Sequence, residues 1–192
     1  MSQEIEIEFK NMLTKEEFHR LCESFAITTF IKQVNHYFET SSFSLKEKSS
    51  ALRIREKNGA YTITLKQPAV TGLLETHQTV TKQEAEWMME TGTMIPGAVY
   101  DQLLLLDIPV EQLQYYGSLT TQRAEMLYEN GTLVFDHSFY FHHDDYELEY
   151  EVQTEETGKK SFLHLLAQYN IPVRPTKNKV QRFFLAKQNV SQ

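Results

Sequence analysis

Alternation of apolar and polar residues is the dominant pattern along the chain. Residues 3–10 alternate strictly between the two classes, which is the period of a half-buried strand. The same period recurs at residues 27–39, 50–57, 61–67, 73–80, 115–128, 131–141 and 145–154. Asn58-Gly59 and Asn130-Gly131 each separate two such segments and predict tight hairpin turns. The pattern therefore predicts about eight strands, many of them joined as antiparallel neighbours.

Helices are predicted where this alternation stops. Thr14 with Glu17, and Thr81 with Glu84, have the spacing of a capping box at a helix N-terminus. The predicted helices cover residues 14–23, 81–89, 101–107, 159–169 and 177–189. Because strands and helices do not alternate regularly, the fold class predicted is α+β with a mostly antiparallel sheet or barrel.

Composition narrows the class of protein. The 192 residues contain no repeat or flexible linker, so we expect one domain over residues 1–192, and a formal charge of −7 disfavours binding to duplex nucleic acid. The single cysteine, Cys22, excludes an internal disulfide and is expected to be a small buried residue of the first helix. No segment reaches the roughly 20 apolar residues of a membrane span, and the N-terminus lacks an apolar signal region. These features predict a cytoplasmic protein without a membrane partner.

Charges on the predicted strands are sorted by sign. Acidic side chains share one face of two strands, at Glu4, Glu6 and Glu8 in the first, followed by Lys10, and at Glu147, Glu149 and Glu151 in the last. Basic side chains share a face at Arg53 and Arg55, and Lys66 belongs to the next strand. Residues two apart on a strand face are separated by roughly 6.5–7 Å. Like charges at that distance repel unless an opposite charge lies between them.

A sheet with one wet face would explain each strand taken alone. The sorting of signs across strands instead favours a sheet curled around a charged cavity, with the apolar faces outward beneath the helices. Carboxylates suit divalent cations, whereas arginine and lysine suit phosphate. The sequence therefore predicts a site for a metal–polyphosphate ligand.

The order of the charged motifs resembles the CYTH family, also called the triphosphate tunnel metalloenzymes. The matching segments are residues 6–10 (EIEFK, the ExExK signature), 33–40 (QVNHYFET), 52–55 (LRIR), 64–66 (TLK, followed by Glu75), 119–123 (LTTQR), 147–151 (ELEYE) and 177–182 (KNKVQR). The second of these ends in Glu-Thr, where the family usually has Asp-Thr. The resemblance runs from Glu4 to Arg182 and so covers almost the whole chain.

This resemblance implies an eight-stranded antiparallel β-barrel, flanked by helices, whose charged lumen binds a triphosphate with Mg²⁺ or Mn²⁺. The phosphate-binding residues it implies are Lys10, Arg53, Arg55, Lys66, Arg123, Lys179 and Arg182. The implied metal ligands are Glu6, Glu8, Glu147 and Glu149, with Glu4, Glu75 and Glu151 as further candidates. Of these two sets, Glu6, Glu8, Lys10 and Lys66 are the residues expected to act in catalysis.

The function expected from the resemblance is metal-dependent hydrolysis of a triphosphate. Inorganic triphosphate is the preferred substrate because nothing in the sequence predicts a pocket for a base, and thiamine or nucleoside triphosphates remain open. Adenylate cyclase chemistry and a non-catalytic sensor of polyphosphate or nucleotide are the alternatives, and a homodimer is also open. The sequence has no GxxxxGK[ST] motif, which excludes a P-loop.

Two further groups of residues are interpreted structurally. His142-His143-Asp144-Asp145 lies between two predicted strands and is expected to form a polar hairpin turn, because consecutive residues do not converge on one ion. Tyr37, Tyr140 and Tyr150 are expected to be packing or rim residues.

Overall fold

The computed structural model describes residues 2–190, and the side chains of residues 3–189. Its strands are β1 (Ser2–Leu13), β2 (Ile31–Thr40), β3 (Ala51–Lys57), β4 (Ala60–Pro68), β5 (Leu73–Val80), β6 (Leu113–Tyr128), β7 (Gly131–Tyr140) and β8 (His143–Val152). Its helices are α1 (Lys15–Ser24), α2 (Ser44–Glu47), α3 (Lys82–Thr91), α4 (Ala98–Leu105), α5 (Glu155–Gln168) and α6 (Lys179–Val190), with a 3₁₀ turn at Val110–Gln112.

The eight strands form a closed antiparallel barrel in the order β1-β5-β4-β3-β2-β6-β7-β8. In the closed order each of these described strands has a hydrogen-bonded neighbour on both sides, which removes the exposed edges of an open sheet. The predicted α+β fold with an eight-stranded barrel is confirmed, as are the two capping boxes, since Thr14 and Thr81 begin α1 and α3 with reciprocal bonds to Glu17 and Glu84.

The chain divides into two compact units, each made of two segments. The first unit contains residues 2–5 and 33–119, and the second contains residues 6–32 and 120–190. The single domain expected over residues 1–192 stays a prediction. Among the described residues, no helix has the length and apolar character needed to cross a membrane.

In the first unit, the apolar face of the sheet packs against α3 and α4. Leu52, Ile54, Ile63 and Leu65 of β3 and β4 are completely buried in this core, together with Met88 and Leu103 of the two helices. The opposite face carries Arg53 and Arg55, as the alternation predicts. The Asn58-Gly59 turn is also confirmed, since both residues have the positive φ (53° and 77°) of a two-residue hairpin.

In the second unit, α1 and α5 cover the apolar face of β7 and β8. The core includes Leu21, Phe135, Leu148 and Leu165, all completely buried. Cys22 is buried beside them, as expected, and its burial raises the pKa of the thiol to about 11. The charged face of each unit is defined here as the face opposite its hydrophobic core.

Helix α2 is a single turn that the sequence pattern did not predict. The buried carboxylate of Glu39 accepts hydrogen bonds from the backbone N–H groups of Thr40 (2.8 Å), Leu45 (3.0 Å) and Lys46 (2.9 Å). Glu39 therefore satisfies the free N–H groups at the start of α2. This accounts for the glutamate in the Glu-Thr pair that ends β2.

Two turns lie earlier in the chain than predicted. Tyr128 pairs with Gly131, so Glu129 (φ 49°) and Asn130 form the β6–β7 turn, and Gly131 already belongs to β7. Glycine is needed there because a Cβ would lie 2.4 Å from the carbonyl oxygen of Glu151.

The β7–β8 turn consists of Phe141 and His142, with φ 53° at Phe141. The interpretation of residues 142–145 as one polar turn was therefore wrong for residues 143–145, which belong to β8. The strand predicted from residue 27 was also too long, because β2 begins at Ile31.

Candidate functional site

Two arginines dominate the charged face of β3 in the first unit. Arg55 lies opposite Asn35 of β2, and its Nε donates to Asn35 Oδ1 at 3.3 Å. Arg53 lies between Tyr37 of β2 and Thr64 of β4, and its buried Nε has no hydrogen-bond partner among the described residues. Leaving a buried donor unsatisfied costs about 1–3 kcal/mol. The Arg53 guanidinium is therefore suited to bind an anion.

The neighbouring strands of the first unit combine a lysine with possible metal ligands. Lys66 of β4 lies opposite Glu75 of β5, and the two form an ion pair. The Nε2 atom of His77 lies 3.1 Å from Glu4 Oε1 and 3.4 Å from Glu75 Oε2. One ligand atom from each of these three residues lies within 4.8 Å of the others, so together they could hold a metal ion.

Glu4 and Glu75 were expected from the sequence as further metal candidates, whereas His77 was not. The signal was present, because His77 follows Glu75 by two positions and so shares its strand face. Thr64 Oγ1 lies 3.0 Å from His77 Nδ1, which orients the ring so that Nε2 faces the two carboxylates.

In the second unit, Arg123, Asp136 and Glu147 lie side by side on β6, β7 and β8. Arg123 donates to both carboxylate oxygens of Asp136, from Nε at 2.8 Å and from Nη2 at 2.6 Å, and Nη2 also donates to Glu149 at 2.9 Å. Burial opposes ionisation of Asp136, but Arg123 and Lys179 together hold the pKa of its carboxyl below the ordinary value.

Asp136 was missed in the sequence, although it is completely buried. An aspartate directly after Leu133-Val134-Phe135 in a strand was the available signal. A buried carboxylate without a cation would be costly, so this pattern already required a partner.

Helix α6 contributes two cationic side chains, Lys179 and Arg182, which contact carboxylates of β7 and β8. Lys179 Nζ lies 2.6 Å from Glu149 Oε1, 2.8 Å from Asp136 Oδ2 and 3.2 Å from Glu147 Oε1. Burial opposes the charge on Lys179, but these carboxylates raise its pKa well above the ordinary value. By contrast, burial raises the pKa of Glu147 to about 7 although Lys179 stabilises its ionised form.

Arg182, one helical turn after Lys179, binds the carboxylates of Asp145 and Glu147 on β8. Its Nε donates to Asp145 Oδ2 at 2.9 Å, and its Nη2 contacts Glu147. Asp145 also accepts a hydrogen bond from the hydroxyl of Tyr140 at 2.6 Å. Asp145 is therefore, like Asp136, a site residue that was not expected from the sequence, which predicted a turn at this position.

Strand β1 adds the residues of the ExExK signature. Lys10 contacts Glu8 and lies opposite Glu149, whereas Glu8 lies opposite Glu151. Burial opposes the charge on Lys10, but its carboxylate neighbours, with Glu8 first, raise its pKa. Burial also raises the pKa of Glu151. Glu8 and Glu151 are thus adjacent carboxylates on neighbouring strands.

The geometry collects the residues expected from the sequence in two groups. The first unit holds Glu4, Arg53, Arg55, Lys66 and Glu75, and the second holds Glu6, Glu8, Lys10, Arg123, Glu147, Glu149, Glu151, Lys179 and Arg182. Carboxylate oxygens with one imidazole nitrogen are a donor set that Mg²⁺ or Mn²⁺ accepts. Arginine and lysine side chains on the charged faces are suited to phosphate oxygens.

Comparison with known proteins identifies the family. The model of the CYTH domain matches residues 4–184. A relative from Bacillus subtilis (strain 168), named "Putative triphosphatase YjbK", is 52% identical over 187 residues, which are 96% of each chain.

Solved structures agree with this match. A Bacillus halodurans protein described as a "putative adenylate cyclase" is 49% identical, with a TM-score of 0.93 over 96% of this chain and 100% of that one. A Hippeastrum protein of the same fold is 21% identical, with a TM-score of 0.80 over 95% of this chain and 96% of that one. The motifs, the barrel and the family match agree, and the chain belongs to the CYTH domain family.

Proposed function

We propose that this chain hydrolyses a triphosphate with the help of a divalent cation. The observation that carries the proposal is the buried Nε of Arg53, which has no hydrogen-bond partner among the described residues, on the same charged face as Arg55 and Lys66. Positioning and charge neutralisation dominate phosphoryl transfer, so a protein needs cations more than nucleophiles for this reaction. The name of the Bacillus subtilis relative supports the same reaction class.

The basic side chains are assigned to the phosphate oxygens. The proposed set is Arg53, Arg55 and Lys66 in the first unit, and Lys10, Arg123, Lys179 and Arg182 in the second. A phosphate oxygen near Arg53 would satisfy the buried donor, and guanidinium groups bind phosphate in two parallel hydrogen bonds. Lys179 and Arg182 are bound to carboxylates here, so a phosphate would compete for them.

The carboxylates are assigned to divalent cations. Glu8 with the adjacent Glu151, helped by Glu6, forms one proposed group, and Glu147 with Glu149 lies next to it on β8. Glu4, Glu75 and His77 form a second group within the first unit. When bound, a divalent ion would neutralise phosphate charge and lower the pKa of a coordinated water. Lys10 and Lys66, each paired with a glutamate, would hold the phosphate chain in place for attack.

Inorganic triphosphate is the substrate we propose, with thiamine and nucleoside triphosphates as the alternatives. The test is a screen of the purified chain with tripolyphosphate, ATP and thiamine triphosphate, each with Mg²⁺ and with Mn²⁺. Released phosphate and cyclic AMP are measured together. We expect phosphate release to be fastest from tripolyphosphate, and no phosphate release from any of the three would contradict the proposal.

Adenylate cyclase chemistry is the second candidate, because the Bacillus halodurans protein is described as such an enzyme. In that reaction the ribose 3′-hydroxyl attacks the α-phosphorus of ATP and pyrophosphate leaves. Cyclic AMP without orthophosphate would establish this alternative. Metal-dependent binding without any product would instead establish the non-catalytic sensor.

The role of Glu8 is tested by a conservative substitution. Glu8→Gln keeps the shape of the side chain but removes a charge, so we expect metal affinity and turnover to fall together, on the order of tenfold. A higher concentration of Mn²⁺ should restore part of the lost turnover. Glu23→Gln, an exposed change on α1, is the matched control and should leave the metal titration unchanged. An unchanged titration for Glu8→Gln would remove Glu8 from the metal group.

A further inference from the structure

Residues 171–178 lie between α5 and α6 and are called the connector. The connector has no helix or strand of its own but is attached to β1 by hydrogen bonds. Asn11, which is completely buried, binds it with both ends of its amide. Asn11 Nδ2 donates to the carbonyl oxygen of Pro172 at 3.1 Å, and Asn11 Oδ1 accepts from the backbone N–H of Arg174 at 2.6 Å. A buried amide satisfied in this way fixes the path of the segment.

The side chain of Arg174 extends the same attachment to α1. Its Nη1 donates to the carbonyl oxygen of Met12 and to Glu17 Oε2, both at 2.8 Å, and its Nη2 donates to Glu17 Oε1 at 2.9 Å. The hydrogen bonds from Arg174 lower the pKa of Glu17. Paired bonds between a guanidinium and a carboxylate are strong and directional.

The hydroxyl of Thr176, two residues closer to α6 than Arg174, adds a further attachment to β1. Thr176 Oγ1 donates to the carbonyl oxygen of Arg174 at 2.9 Å and accepts from the backbone N–H of Met12 at 3.3 Å. We call Asn11, Glu17, Arg174 and Thr176 the connector clamp. All four belong to the second unit.

The clamp lies next to the charged face at both of its ends. Asn11 directly follows Lys10 on β1, so one strand presents Lys10 to the carboxylates and Asn11 to the connector. Lys179 follows Arg174 by only five positions and begins α6. A chain held at Arg174 and Thr176 therefore has little freedom to place Lys179 elsewhere.

We propose that Arg174 is a positioning residue, which through the connector clamp fixes the start of α6 and thereby holds Lys179 and Arg182 at the charged face. This inference rests on the proposed function in that it takes these two cations to bind phosphate. Arg174 itself forms its bonds with Glu17 and Met12 and acts only through α6.

The first test compares Arg174→Gln with Arg20→Gln. Arg20 is an exposed arginine of α1 that donates to the carbonyl oxygen of Tyr169, which lies outside residues 171–178, so it is the matched control. In Arg174→Gln we expect KM for tripolyphosphate to rise about tenfold or more, with a smaller change in kcat, because the cations that bind phosphate are less well placed. Arg174→Lys should recover part of the effect. A wild-type KM in Arg174→Gln would overturn the inference.

The second test distinguishes positioning from a direct role. If Arg174 acts through Lys179 and Arg182, then adding Arg174→Gln to a variant that carries both Lys179→Ala and Arg182→Ala should raise KM much less than it does in the wild-type background. If the factors by which the separate changes raise KM simply multiply when they are combined, the inference would be contradicted. Should Arg174→Gln fail to fold, Thr176→Val breaks the same attachment and should show the same dependence on Lys179 and Arg182.

The third test does not depend on activity. Hydrogen exchange of the ligand-free protein should be faster over residues 171–182 in Arg174→Gln, and unchanged there in Arg20→Gln. Equal exchange in wild type and Arg174→Gln would overturn the positioning role even in an active enzyme. A wild-type chain without triphosphatase activity would overturn the proposed function, while the exchange measurement would still decide whether Arg174 fixes α6.

Discussion

The charged faces of the two units differ in how fully their cationic side chains are paired. In the first unit, Arg53, Arg55 and Lys66 lie on adjacent strands, and the buried Nε of Arg53 has no partner among the described residues. In the second unit, Lys10, Arg123, Lys179 and Arg182 each contact at least one carboxylate. In the first unit, therefore, Arg53 has hydrogen-bonding capacity available for an anion, although Lys66 is paired with Glu75. All four of the cations named for the second unit already belong to a network of ion pairs.

This difference supports a different proposed ligand for each face. The carboxylates in the network of the second unit are Glu8, Asp136, Asp145, Glu147, Glu149 and Glu151, and they outnumber its cations. An excess of buried negative charge favours a divalent cation. The first face, with its arginines, favours phosphate, and the group of Glu4, Glu75 and His77 in the same unit could also hold a metal ion. Removal of a charge should thus have different consequences in the two units.

Chelation should have the largest effect, because it removes the ligand expected of the carboxylate-rich face. We expect excess EDTA to lower tripolyphosphate hydrolysis by at least about two orders of magnitude, since a metal ion contributes several kcal/mol to charge stabilisation. Tripolyphosphate should still raise the Tm somewhat, because the arginine face needs no metal to attract an anion. Phosphate release at the full rate in excess chelator would refute the assignment of the acidic residues.

Asp136→Asn should strongly destabilise the second unit. It removes the carboxylate that Arg123 and Lys179 share, and loss of one partner from a buried ion pair costs about 3–5 kcal/mol. The free energy of unfolding, from urea titration, measures this loss. Asp144→Asn, which changes an exposed carboxylate beside His137, is the control and should leave the free energy of unfolding almost unchanged. Equal losses would mean that the buried network contributes no more than a surface pair.

Arg53→Ala in the first unit should weaken substrate binding while it leaves the stability of the protein nearly unchanged. Loss of a charge-assisted phosphate contact should raise KM for tripolyphosphate about 10–150-fold, which corresponds to roughly 1.5–3 kcal/mol. The Tm should fall little, because the guanidinium Nε has no partner to lose. Kinetics over a metal titration check this result, and additional Mn²⁺ should not restore the affinity. A large fall in Tm with an unchanged KM would instead show that Arg53 stabilises the fold and does not bind the substrate.

A smaller effect is expected from the titration of Glu147. Burial raises the pKa of its carboxyl to about 7, above the unfolded value, so the folded protein binds the proton more tightly. This contribution to stability is present below about pH 4.5 and is lost as the pH rises towards 7. Relative to wild type, Glu147→Gln should therefore gain about 1–3 kcal/mol of stability between pH 5 and pH 7.5. Urea titrations of both proteins without metal measure the difference, and parallel pH profiles would contradict it.

The sequence predicted most of the strands because their cause is local. Alternation places Glu8 and Lys10 on one face and Phe9 on the other whatever the strand contacts later. The capping boxes at Thr14 and Thr81 were predictable for the same reason, since their bonds connect residues three positions apart. The position of the β6–β7 turn was less predictable. The Asn130-Gly131 pair is typical of a hairpin turn, but the turn consists of Glu129 and Asn130. Gly131 belongs to β7, where a glycine is needed because the Glu151 backbone approaches it closely.

By itself, the sequence determined the strand faces, the sorting of charge by sign and the family. Only the tertiary structure decided which charges meet. Asp136 was absent from the predicted site and Asp145 was placed in a turn, but both bind cations delivered by α6, at Lys179 and Arg182. The attachment of Arg174 to Glu17 joins residues 157 positions apart. Local periodicity carries no information on such pairs, because they form only when strands and helices pack together.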